Sequence, residues 1–339
     1  MPNMVNAKLA VPHRLTPGQT IGIVAPSAGN AGAFPHRVEQ AVQSLTDLGF
    51  KVKFAKHARE NRDYVSADAR LRAEDINDMF ADPEIATIMC TIGGDHSNQI
   101  LKYIDFEAIR HSPKIFVGYS DISVLHYALA AKANLQTFYG PCLVTEFGEY
   151  PKPLDYTLDH FLKATMNAEP IGNIVPSAEW TCEILDWRTQ EDRKRSRKLL
   201  PSTGYYWLRQ GKSSGIIVGG CVPSINHLTG TEFWIDPIGC VFFIDVPEGH
   251  EFGTGLQIHE LDAYLADLDN LGVFKNIVGL IVGKPYRYSD EQNEQLRRLI
   301  ASYVEPYNYP VLMDVNIGHA SPIITLPLGA EVTLDAEHD

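Results

Sequence analysis

The stretch Lys114-Ile-Phe-Val-Gly-Tyr-Ser-Asp-Ile-Ser123 decides how the chain is read. The apolar run ends at Gly118, and a helical pattern follows from about Asp121 to Ala133. The segment therefore predicts a strand that turns directly into a helix. The run shows no polar alternation, which marks a strand buried on both faces. Ser120 falls at the helix N-terminus, beside amide groups without an intrahelical partner and at the positive end of the dipole. Two readings of Ser120 stand at this level. It is a helix cap, or it is a nucleophile whose alkoxide and tetrahedral oxyanion are both favoured there. The pattern is not G-x-S-x-G, because Ile122 stands where the second glycine would be.

The same alternation extends in both directions. Thr20-Ile-Gly-Ile-Val-Ala25 reads as a strand, and Val38, Ala41, Val42, Leu45 and Leu48 recur at helical spacing. Lys51 to Ala55 is a second strand. Ser66 is expected to cap a helix carrying Leu71, Ile76, Met79 and Phe80. Ile85 to Ile92 is a further strand ending in Gly93-Gly94. Such strands, separated by helices, predict an α/β fold with a parallel sheet covered on both sides. Functional groups of these sheets gather at the carboxyl ends of the strands, where Ser27, Gly93-Gly94 and Ser120 all fall. Gly93-Gly94-Asp95 offers a second backbone donor, or a plain turn.

This first domain is expected over residues 1–165. Residues 166–213 read as a long crossover, with Trp180, Trp187, Trp207 and the basic run Arg193-Lys-Arg-Ser-Arg-Lys198. The basic run is a solvated loop or a mobile lid over an anionic substrate. Residues 214–339 form a second α/β or α+β domain. Its strands are expected near 215–219, 240–245, 277–282, 310–313 and 330–334, and its helices near 256–270 and 290–304.

Bulk properties bound the function. The chain has 339 residues, room for two cores. With 29 basic and 42 acidic residues, the formal charge of −13 opposes binding to nucleic acid or anionic lipid. No apolar run is long enough to cross a membrane. Met1 to Pro17 lacks the pattern of a secretory signal, so a cytoplasmic location is expected. The cysteines at 90, 142, 182, 221 and 240 are scattered without a C-x-x-C pair, so neither a zinc centre nor a disulfide framework is expected.

A nucleophilic serine needs a base and an orienting acid. His319 lies in the Gly-flanked loop of Ile317-Gly-His-Ala-Ser-Pro-Ile-Ile-Thr-Leu-Pro-Leu-Gly329, between two apolar strands. Cys240-Val-Phe-Phe-Ile-Asp245 is an apolar strand ending in a carboxylate, well placed to hold an imidazole. Glu248 and Glu251 are the competing acids.

In order along the chain, Ile92-Gly-Gly-Asp-His-Ser-Asn98, Gly118-Tyr-Ser-Asp121, Thr137-Phe-Tyr-Gly-Pro141, Gly219-Gly220 and Gly318-His319 resemble the LD-carboxypeptidase family of serine peptidases. The likeness is greatest to its microcin C immunity branch and spans nearly the whole chain. It implies a Rossmann-like nucleophile domain and a smaller C-terminal domain with the active site between them. It also implies Ser120 as nucleophile, His319 as base, and an oxyanion hole from the amides of Gly94 and Asp121, with Gly93 and Asp95 lining the substrate site. The family normally carries Glu where this chain has Asp245, and commonly Asn where it has Cys221. The aspartate is about 1.5 Å shorter in reach, so its bond to His319 is expected to be longer, water-bridged or made by another residue. In the immunity branch a loop tryptophan stacks on adenine. Here Trp187 is the candidate and Trp180 the second choice, the other reading being that both indoles anchor the crossover.

The resulting expectation is a serine hydrolase, with no metal or organic cofactor, acting on an aminoacyl-nucleotide or, alternatively, on murein tetrapeptides. A homodimer is expected by the same resemblance. A non-catalytic ligand-binding homologue is the competing class. A dinucleotide oxidoreductase fails because Ala25-Pro-Ser-Ala-Gly29 lacks G-x-G-x-x-G.

Overall fold

The computed structural model describes residues 9–251 and 253–337. Its first sheet is built from β1 (Thr20–Val24), β2 (Lys51–Phe54), β3 (Ile85–Cys90), β4 (Ile115–Gly118) and β5 (Phe138–Tyr139). These five run parallel in the order β5-β4-β3-β1-β2. Ile21, Ile23, Ile88, Met89, Phe116 and Val117 are all buried, as runs without alternation require when helices cover both faces. The helix Pro35–Asp47 buries Val38, Ala41 and Leu45, and the helix Ala69–Ala81 buries Ile76, Met79 and Phe80. These are the i, i+3, i+4 stripes of helices lying on a sheet.

The crossover is more ordered than a loop. Within it β6 (Glu179–Trp180) pairs with β7 (Leu200–Pro201), and β8 (Tyr206–Arg209) forms an antiparallel edge of the second sheet. That sheet also holds β9 (Lys212–Cys221), β10 (Val241–Asp245), β11 (Gly279–Gly283), β12 (Val311–Val315) and β14 (Glu331–Asp335), in the order β14-β9-β10-β11-β12-β8. Strands β9 to β12 are parallel to their neighbours among themselves. The helix Ile258–Asn270 packs on them through Leu261, Leu265 and Leu268, all fully buried. The two halves interlock through β13 (Leu326–Pro327), which leaves the second half to pair antiparallel with β5 of the first sheet. Among the described residues, no helix is long and apolar enough to cross a membrane.

One local expectation is corrected. The second helix starts at Ala69 with Asp68 in the N-cap position, and Ser66 does not cap it. The Ser66 hydroxyl instead donates to the Ala25 carbonyl at 2.6 Å, because the chain returns here to the end of β1. The basic run is largely solvated, as one of its two readings has it, but two of its arginines are paired. Arg195 pairs with Glu183 at 2.9 Å and Glu191 at 3.0 Å. Arg197 is drawn in against the buried Glu149 at 3.0 Å, and Asp192 is buried between His36 and Arg37. Two of its five cations are thus paired with acids, while Arg193, Lys194 and Lys198 are exposed.

The loops leaving β1 and β3 are tied together by Arg72, which is 1% exposed. Its guanidinium donates to the carbonyls of Ala67 (2.9 Å), Pro26 (2.5 Å) and His96 (3.0 Å) and to the Gln99 side chain (2.7 Å). Arg72→Met keeps the apolar stem and takes this donor from the buried carbonyls of Ala67 and Pro26. It should lower the unfolding free energy by about 3 kcal/mol, read as a fall in the urea midpoint at constant slope; an unchanged midpoint would show that water replaces the guanidinium at no cost.

Candidate active site

Ser120 follows β4 directly, in a short 3-10 turn (Ser120–Ile122) that leads into the helix Ser123–Ala133. Its φ of +65° is left-handed, a conformation that costs a serine about 1–2 kcal/mol. The strain aims the side chain out of the strand-to-helix turn. The Ser120 hydroxyl lies 2.9 Å from His319 Nε2. On the other side of the ring, Nδ1 lies 2.8 Å and 3.1 Å from the two carboxylate oxygens of Asp245. Asp245 is fully buried at the end of β10.

The short aspartate therefore reaches the imidazole directly, and the expected lengthened or water-bridged contact is not found. Gly318 explains how. With φ +85°, its α-carbon sits where a side chain would overlap the Asp245 carboxylate, so the loop carrying His319 closes down onto the strand end. Glu251, one competing acid, makes no side-chain bond to His319 among the described residues, whereas Glu248 lies 3.1 Å from Nε2 and is half exposed. Nε2 thus faces both the serine hydroxyl and a carboxylate. Burial works to lower the His319 pKa, but Asp245 and then Glu248 outweigh it and raise the imidazole to about 9.

Tyr139 is a member of the site that sequence reasoning quoted within Thr137-Phe-Tyr-Gly-Pro141 but gave no role. Its hydroxyl donates to Asp245 Oδ2 at 2.6 Å and accepts from the Ser120 amide at 3.2 Å. It spans from the strand end of one sheet to the serine turn of the other. Tyr119 packs edge-on against the His319 ring at 5.1 Å and donates to the buried Glu146 at 3.1 Å. Burial raises the Glu146 carboxyl above its usual range.

The glycine turn after β3 lies against Ser120. A β-carbon on Gly93 would meet the Ser120 hydroxyl at 2.9 Å and the Asp121 amide nitrogen at 3.2 Å, so only a glycine permits this approach. Gly94 lies next to it against Ser27 and Ala28. The Asp121 side chain turns away from the serine and accepts from Ser27 Oγ (2.6 Å) and from the His96 (2.9 Å) and Ser97 (2.8 Å) amides. It fixes the turn and leaves only its backbone amide on the serine side. Asp95 is exposed.

The two tryptophans make different contacts. Trp180 closes β6, with the Lys284 ammonium 4.6 Å from its ring, and the next residue, Thr181, exchanges backbone hydrogen bonds with Ser321 in the histidine loop. Trp187 rests on the first domain, edge-on to Phe34 at 5.2 Å and 4.5 Å from the Arg37 guanidinium. His126 is buried and bonded to Thr137 and the Gly118 carbonyl, consistent with packing and not proton transfer.

Comparison with known proteins fits this geometry. Residues 21–140 match the LD-carboxypeptidase N-terminal domain of peptidase family S66, and residues 214–334 match its C-terminal domain. The microcin C7 self-immunity protein MccF of Escherichia coli is 30% identical over 97% of this chain and 94% of its own length. A Bacillus subtilis protein named "probable murein peptide carboxypeptidase" is 29% identical over 96% of this chain and 91% of its own. The structure of MccF in complex with aspartyl sulfamoyl adenosine superposes with a TM-score of 0.87, at 28% identity over 96% of each chain. With both domain models matched in order and the likeness running nearly end to end, the chain belongs to the LD-carboxypeptidase family, peptidase S66.

Proposed function

We propose that this family member is a serine hydrolase that cleaves the amide bond of an aminoacyl-nucleotide. The observation that carries the reading is the continuous line from the Ser120 hydroxyl through His319 to Asp245, with gaps of 2.9 and 2.8 Å. Neutral His319, held with its proton on Nδ1 by Asp245, accepts the Ser120 proton at Nε2 as Oγ attacks the carbonyl carbon. The amides of Gly94 and Asp121 receive the negative oxygen. Collapse of the tetrahedral species expels the amine, which takes the proton from Nε2. Water, deprotonated by the same nitrogen, then releases the acyl group and restores Ser120. The substrate class is supported by MccF, a relative over the full length whose structure holds an aminoacyl-sulfamoyl nucleoside. Trp187 is the candidate to stack on the base.

Ser120→Ala should reduce turnover by about ten-thousandfold while leaving the fold intact; undiminished turnover would remove this mechanism. The substrate is decided by incubating the purified protein with aspartyl sulfamoyl adenosine and with a murein tetrapeptide, and following products by mass spectrometry. Release of the terminal D-residue alone would favour the murein peptide.

Stacking of a base on an aromatic ring is worth about 1–3 kcal/mol, so Trp187→Ala should raise KM for the nucleotide substrate by roughly ten- to a hundredfold. Equal losses on nucleotide and peptide substrates would argue that the indole only anchors the crossover.

The base works only when unprotonated. With the imidazole raised to about 9, kcat/KM should climb with pH through that value, because the active form accumulates as the proton leaves. Glu248→Gln removes one of the charges that hold the proton and should move this limb to lower pH. A limb that does not move would show that Glu248 swings clear of the ring in solution.

A further inference from the structure

Cys221 is not used by the mechanism above, yet it stands beside it. It ends β9 as Asp245 ends β10, and the two are register partners in adjacent parallel strands. Partners in such a pair project from the same face of the sheet. The Cys221 sulfur, a carboxylate oxygen of Asp245 and a ring nitrogen of His319 all lie within 4.8 Å of one another. Cys221 is 2% exposed. Burial, then the Asp245 charge, pushes its thiol well above the ordinary range, so the uncomplexed protein carries a neutral thiol and not a reactive thiolate.

A thiol, an imidazole and a carboxylate together make the donor set of a zinc site. Tetrahedral Zn²⁺ holds such atoms about 3–4 Å apart, so the three must close by about 1 Å. Two sit on rigid strand ends, and the third is on a loop turned by Gly318. We propose that Cys221, Asp245 and His319 form an inhibitory Zn²⁺ site inside the catalytic centre. The ion binds the Cys221 sulfur, a carboxylate oxygen of Asp245 and a nitrogen of His319, leaving a fourth position for water. The thiol proton, and any proton held by the coordinating imidazole nitrogen, pass to solvent. No other bond is made or broken. Binding therefore strengthens as pH rises. Once coordinated, the imidazole is no longer oriented between Asp245 and Ser120, and proton transfer stops. The inhibition rests on the proposed hydrolase; the binding does not.

The test separates the two. Metal-free protein titrated with CoCl2 should develop a sulfur-to-cobalt charge-transfer band in the near ultraviolet, which ZnCl2 then bleaches. Cys221→Ser should abolish the band, and Cys182→Ser, which removes a partly exposed thiol, should keep it. ZnCl2 should suppress turnover of the unsubstituted enzyme, and EDTA should restore it. Relative to its own zinc-free rate, Cys221→Ser should need at least about tenfold more ZnCl2, the least expected when a ligand is lost. No band in the unsubstituted protein, a band that survives Cys221→Ser, or equal zinc sensitivity in both would overturn the proposal. A band in a protein that cleaves neither substrate would leave the metal site standing and defeat only the hydrolase reading.

Discussion

One buried carboxylate holds this site together. Asp245 has no exposed surface, and an ionised group in such a place survives only if its charge is met by donors. His319 meets it from the C-terminal loop, and the Tyr139 hydroxyl meets it from β5 of the first sheet. Tyr139 in turn accepts from the Ser120 amide, so satisfying one carboxylate draws three distant segments to a point. Separating the halves would take the Tyr139 hydroxyl from that carboxylate and leave His319 as its partner. The requirement that makes the contact costly to break also keeps the hydroxyl and imidazole in register.

The sheets supply the precision. Ser120 and Gly93 follow β4 and β3 of one sheet, while Cys221 and Asp245 end β9 and β10 of the other. Strand ends in a packed parallel sheet have little freedom, so only the His319 loop needs to adjust. That loop is fixed on either side. Gly318 lets it close on Asp245, and Ser321 is bonded to Thr181 of the crossover. The crossover is thus bonded directly to the loop that carries His319.

Electrostatics around the imidazole are dominated by acids. Asp245, Glu248 and Glu146 all favour its charged form against the effect of burial. Of these, Glu248 is half exposed and shares Nε2 with the serine. Once the ring is neutral, Nε2 offers Glu248 no proton, and the contact loses its attraction while the one to Ser120 gains a donor. The charged and neutral forms of the ring therefore favour different partners at Nε2.

What the sequence by itself determined was local: apolar runs without alternation, the helical stripes between them, and the strand-to-helix turn at Ser120. Each follows from the periodicity or steric freedom of neighbouring residues. His319 and Asp245 were legible only as a loop histidine and a strand-end acid among competitors. The tertiary structure decided that Asp245 touches the ring and that Glu248 reaches its other nitrogen, because a difference of one methylene is set by how closely the Gly318 loop packs. It alone gave Tyr139 a role and placed Cys221 beside Asp245, since strand register joins residues that lie far apart in the chain. It also paired Arg197 of the basic run with Glu149, an acid from another element that no short window along the chain contains.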